Sequence, residues 1–170
     1  TKEELDYQEL LAQTDELTGL YNRRCLMDQL AKSMKRSDES GCGLALVMVD
    51  LDNFKPINDS LGHAAGDEVL RRVSEIMRHG VRQSDLPCRL GGDEFAIVLP
   101  EVKNHVARKR ARTILRQIER MPQLSPDVVV TVSMGGTMFK SGETAEGLVA
   151  RADALLYKAK ENGRNQLCWS

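Results

Sequence analysis

Three acidic residues stand where apolar runs stop. The stretch "LALVMVDLD" drives a continuous hydrophobic run into Asp50, and "RLGGDEFAIVLP" sets Asp93 and Glu94 between a two-glycine turn and a second apolar run. A carboxylate beside a sheet core is costly to desolvate unless it meets a cation or strong donors. If the two acidic tips share one sheet, their carboxylates would repel one another unless cations bridged them. An all-oxygen donor set suits a hard ion, magnesium or manganese rather than zinc. A pair of such ions can clamp a triphosphate and activate a hydroxyl for in-line attack. The plainer reading is that each acid caps a turn or a helix, and spacing alone leaves both open.

Partners for a phosphate are present, although no GxxxxGK[ST] loop occurs. Lys55 follows the first acidic tip, where an ammonium could meet a phosphate as a point charge. Lys160 and Arg164 lie near the end of the last long helical stretch. There they could equally complement the helix dipole.

The elements that must position these residues follow from periodicity. The opening "TKEELDYQELLAQ" reads as an amphipathic helix, and Asn22 is placed to cap a helix through "RRCLMDQLAKSMKR". "LALVMV" is a strand covered on both faces, followed by a polar loop through "NFKPINDSLGH". "GDEVLRRVSEIMRHG" is a helix closed by Gly80, and "PCRL" with "EFAIVL" forms a hairpin around the glycines. A basic helix ("HVARKRARTILRQIERM"), a buried strand ("DVVVTVSM"), a helix ("TAEGLVARADALLYKAKEN") and an edge strand in "NQLCW" complete the chain. Helix, strand, helix, hairpin, helix, strand and helix give an α/β (α+β) fold. Its core is β-α-β-β-α-β, a mixed, antiparallel-rich sheet with flanking helices.

Composition narrows the class. The chain has 170 residues, 41% of them hydrophobic and 29% charged, which suits one soluble domain. Residues 1–13 read as a linker or signalling helix and 14–170 as the domain proper. No apolar run nears the ~18 residues of a membrane span. A net charge of −1 gives no reason to expect nucleic acid as the partner. Its four cysteines are scattered without CxxC spacing, which argues against zinc or a disulfide framework and suits a reducing, cytoplasmic setting.

With these residues in hand, the chain resembles the GGDEF domains, the diguanylate cyclases of bacterial signalling. The pentapeptide "GGDEF" at residues 91–95 is joined by "DELTGLYNRR" (15–24), "DLDNFKPINDSLGHAAGDEVL" (50–70), "TVSMGG" (131–136) and "ADALLYKAKENGRN" (152–165), in family order. The resemblance implies a palm-like fold and condensation of two GTP into cyclic di-GMP. It also implies a homodimer of facing active halves and an N-terminal sensor or regulatory domain whose parent protein could be membrane-anchored. Carried over, Asp50, the Leu51 carbonyl, Asp93 and Glu94 become ligands of Mg2+ (or Mn2+), with Asp93 the first choice for deprotonating the 3′-hydroxyl. Asn58 and Asp67 would read the guanine edge, which favours GTP over ATP. Backbone N–H groups of Asn53, Phe54 and Lys55 would meet the β- and γ-phosphates, and Lys160 and Arg164 would clamp them. Packing or loop-stabilising roles are expected for the side chains of Phe54, Leu17, Leu20, Tyr157 and His63.

"RQSD" at residues 82–85 matches the RxxD of the family's inhibitory site, where Arg82 and Asp85 would hold cyclic di-GMP. A second arginine is needed, and Arg108, Arg110, Arg112 and Arg116 of the basic helix all qualify. Pro56 removes one donor from the phosphate loop, and Leu90 stands where the family often has an aromatic residue. A catalytically silent cyclic di-GMP receptor is the alternative function.

Overall fold

In chain order the elements are α1 (Lys2–Gln13), α2 (Arg23–Ser40), β1 (Leu44–Leu51), α3 (Phe54–Leu61), α4 (His63–His79), β2 (Leu86–Gly91), β3 (Glu94–Pro100), α5 (Asn104–Glu119), β4 (Val132–Met138), α6 (Ala145–Glu161) and β5 (Leu167–Trp169). The computed structural model describes all residues, Thr1–Ser170. One five-stranded sheet has the order β2-β3-β1-β4-β5. All neighbours are antiparallel except β4 and β5, which run parallel.

Every residue of β1 is buried because helices cover both faces of the sheet. Successive strand side chains point to opposite faces, and the core divides accordingly. Ala45, Val47, Val49 and Leu51 pack with residues of α4 and α5, among them Val73, Met77, Ala111 and Ile114. Leu44, Leu46 and Met48 pack with residues of α2 and α6, among them Leu26, Leu30, Leu148 and Ala152. Asp50 continues the second set, so its carboxylate emerges on the α6 side.

The helix ends follow the local signals. Asn22 accepts the Cys25 N–H at 3.0 Å to open α2, and Gly41 closes it in the left-handed region. Thr144 accepts the Gly147 N–H at 3.0 Å to open α6. No helix is long and apolar enough to cross a membrane.

Three expectations change. The polar loop after Asp52 is the helix α3, with Ile57 as its buried contact and Pro56 in its first turn. There the missing proline N–H breaks no helical hydrogen bond. The strand expected over "DVVVTVSM" lies farther along, at β4, and runs through Gly135 and Gly136. A Cβ on Gly135 would lie 2.1 Å from the Leu156 backbone nitrogen, and one on Gly136 would strike the Trp169 ring at 2.3 Å. The glycines that look like a strand end are therefore where α6 and Trp169 press against the sheet. Tyr157, expected to pack, is 64% exposed.

Candidate active site

The acidic tips meet because β1 and β3 are neighbours. Asp50 pairs with Glu94 across that ladder, and the Leu51 N–H donates to the Asp93 carbonyl at 3.1 Å. The turn that brings Asp93 there needs positive φ at Gly91 (134°) and Gly92 (51°), which glycine adopts without strain. Arg89 fixes the turn from behind: it donates to the Gly92 carbonyl at 2.8 and 3.1 Å and to both carboxylate oxygens of Asp15 at 3.0 and 3.1 Å. Burial pushes the Asp15 carboxyl up, but hydrogen bonds from Thr18 and Arg89 outweigh it and hold the group below its usual range. Asp15 and Arg89 are 74 positions apart, and no local pattern marks them as partners.

Asp50 is 7% exposed. Burial pushes its carboxyl up to about 6, the neighbouring Asp93 pushes the same way, and the Lys160 ammonium only partly offsets them. Lys160 Nζ donates to Asp50 Oδ2, while Asp50 Oδ1 is buried with no hydrogen-bond partner. A buried carboxylate oxygen without a donor, next to a second carboxylate, is a donor set that suits a hard divalent cation. Glu94 is more exposed and lies 3.7 Å from Arg23 of α2. Asp52, which the acidic run could have added to the cluster, instead accepts from Thr131 and Ser133 hydroxyls and the Asn165 N–H.

The other residues expected at the site lie on α3, on α4 and in the turn after α6. Asn53, at φ 55°, opens α3, so residues 53–55 present the free N–H groups of a helix start rather than of a loop. Asn58 rests against α4: a Cβ on Gly66 would fall 1.7 Å from Asn58 Oδ1. That places Asn58 beside the helix turn that carries half-buried Asp67. Lys55 and Arg164 are exposed, Arg164 in the left-handed turn that follows α6.

The RxxD segment forms a separate cluster. Asp85, with a fully covered side chain, accepts from the Arg82 N–H at 2.7 Å and from Arg82 Nη2 at 2.7 Å. Arg82 also donates to the Pro100 and Glu101 carbonyls. Among the arginines of α5, Arg110 is the one that reaches Asp85, at 3.7 Å, and its Nη1 is buried without a hydrogen-bond partner. A groove of about 390 Å³ runs past Arg82 and Arg78 to Leu10 of α1 and Tyr21.

Comparison with known proteins identifies the family and the fold. The family model described as "Diguanylate cyclase, GGDEF domain" matches residues 12–166. Response regulator PleD of Caulobacter vibrioides is 40% identical over 166 residues, covering 95% of this chain and 37% of the relative. Diguanylate cyclase DgcP of Pseudomonas aeruginosa is 38% identical, covering 96% of this chain and 25% of the relative. The chain thus spans well under half of these curated relatives. The coiled coil and GGDEF domain of DgcB from Caulobacter crescentus, solved with c-di-GMP, superposes with a TM-score of 0.94 at 30% identity, covering 99% of this chain and 91% of that one.

Proposed function

Because the chain belongs to the GGDEF-domain family of diguanylate cyclases, we propose that it condenses two GTP into cyclic di-GMP and releases two pyrophosphates. The observation that supports this reading best is the meeting of Asp50 with Asp93 at one sheet end, with an unpartnered buried oxygen on Asp50 and Lys160 at hand, while Glu94, opposite Asp50 in the ladder, lies by Arg23. Magnesium or manganese, held by Asp50, Asp93, Glu94 and the Leu51 carbonyl, would supply charge neutralisation and a more acidic 3′-hydroxyl.

The chain's own residues do the rest. Asp93 takes the 3′-hydroxyl proton as that oxygen forms its bond to the α-phosphorus of the facing GTP. The bond from that phosphorus to the bridging oxygen breaks, and the electron pair leaves with pyrophosphate. N–H groups of residues 53–55, with Lys55, Lys160 and Arg164, hold the triphosphate. Asp67 accepts from guanine N1–H and N2–H2 with Asn58 beside it, and adenine offers no such donor pair.

Each domain holds one GTP, so turnover requires two copies. Tyr7, Leu10 and Leu11 of α1 are exposed and share one side of the helix, an apolar face on which two copies can pair and through which an upstream sensor domain can act. Arg82 and Arg110 supply the cations of the inhibitory site for cyclic di-GMP. In that role Arg82 swings away from Asp85, which frees the carboxylate to accept from guanine.

The test is purified protein at several concentrations with GTP and magnesium, assayed for cyclic di-GMP and pyrophosphate beside Asp93→Ala. Product should rise more steeply than linearly with protein and vanish in the variant. Cyclic di-GMP binding without turnover, even in forced dimers, would replace the cyclase reading with the receptor one.

A further inference from the structure

Asp52 lies two residues beyond Asp50 and is 4% exposed. Its carboxylate is held by neutral donors: the Thr131 hydroxyl at 2.8 Å, the Ser133 hydroxyl at 2.6 Å and the Asn165 N–H at 3.0 Å. A buried charge is costly, and two hydroxyls beside a strand end do not require one. The third donor is the one with a consequence for the site.

Asn165 follows Arg164, and both are left-handed, at φ 47° and 64°. Consecutive non-glycine residues in that region are strained and persist only where the surroundings hold them. The Arg164 N–H is held by the Ala159 carbonyl at 3.0 Å, which ties the turn to α6. The Asp52 bond ties the same turn to the residue that follows β1, two positions beyond Asp50. Arg164 is exposed, and what the fold fixes is the backbone turn from which its side chain extends.

The geometry points to Asp52 as a positioning residue: it anchors the turn after α6 on β1, so that Arg164 meets the triphosphate in register with Asp50. This inference rests on the reading of Arg164 as a phosphate clamp. Asp50 and Asp52 then divide their work, one binding at the site and the other holding the arginine opposite it.

The test measures calorimetric affinity for α,β-methylene-GTP with magnesium, which binds without turnover, in wild type, Asp52→Ala, Arg164→Ala and the double variant, with a thermal melt of each. Asp52→Ala and Arg164→Ala should each weaken binding by about tenfold, and the double variant should be no weaker than Arg164→Ala. Asp52→Asn should recover most of the affinity, because its carbonyl oxygen can accept from Asn165 while Ser133 turns to accept from the amide. Should Asp52→Ala fail to fold, Asn165→Pro removes the same bond from an exposed position and forbids the left-handed φ. It should match Arg164→Ala. Wild-type affinity in Asp52→Ala or Asn165→Pro, with Arg164→Ala weakened, overturns the inference and leaves the site reading standing. Losses that add in the double variant also overturn it, since they mark a general structural effect. Wild-type affinity in Arg164→Ala alone removes the clamp, and this inference with it.

Discussion

Lys160 donates to Asp50 and so joins the end of α6 to the end of β1, across 110 positions of sequence. Before nucleotide arrives, the ammonium sits against the carboxylate that a divalent cation would use. The two cations compete for one ligand. Lys160→Met should therefore raise Mn2+ affinity in the nucleotide-free protein by on the order of tenfold, while lowering affinity for GTP. Titration of Mn2+ by its paramagnetic signal, with and without GTP, measures both; unchanged Mn2+ affinity would remove the competition.

The Asp50 carboxyl, raised from 3.8 to about 6 chiefly by burial, gives the metal-free protein an unusual pH dependence. Its raised value means the fold favours the protonated form. The stability this group contributes is complete below about pH 4 and is lost as pH rises through 6, a change of about 3 kcal/mol. Asp50→Asn should raise the melting temperature of chelator-treated protein at pH 7.5, and the gain should fade toward pH 4. Metal binding runs the other way, because it needs the carboxylate, and should weaken about tenfold per unit below pH 6. Melts and Mn2+ titrations between pH 4 and 8 test both slopes; a variant no more stable than wild type at pH 7.5 would contradict the first.

Arg89 and Asp15 form a pair with side chains 13% and 19% exposed. Losing either partner leaves the other charge largely covered, so Arg89→Ala should cost roughly 2–3 kcal/mol in urea unfolding. Arg89 also holds the Gly92 carbonyl, and the freed turn should lower kcat more than it raises KM. Arg89→Lys lacks the fork and should recover only part of either loss. Wild-type kcat in Arg89→Ala would show that the turn holds Asp93 unaided.

Gly66 gives Asn58 its seat on α4. A methyl group there displaces the Asn58 carboxamide, a flexible side chain that can turn away, and comes within 3.3 Å of the Phe54 ring. Gly66→Ala should raise KM for GTP by about tenfold or more and narrow the preference over ATP, with little change in melting temperature. Unchanged discrimination between the two nucleotides would remove Asn58 from guanine reading.

Local chemistry made much of this protein legible from its sequence. An unbroken apolar run announces a strand covered on both faces, two glycines before an acid announce the hairpin, and Asn22 announces a helix start, because each signal acts within a few residues. The meeting of Asp50 with Asp93 and Glu94 was also within reach, once the hairpin and the first strand were put in one sheet. Other features were decided only in three dimensions. Composition hid α3, because Pro56 and the polar "NDS" read as loop until the first-turn position of the proline is known. The continuation of β4 past Gly135 and Gly136 depended on α6 and Trp169 pressing on those glycines. Arg110 differs from Arg108, Arg112 and Arg116 only in facing Asp85, and Asp52 left the acidic cluster because Thr131, Ser133 and Asn165 surround it. Each of these depends on partners far away in the chain, and a periodic pattern carries no record of which distant donor a side chain will meet.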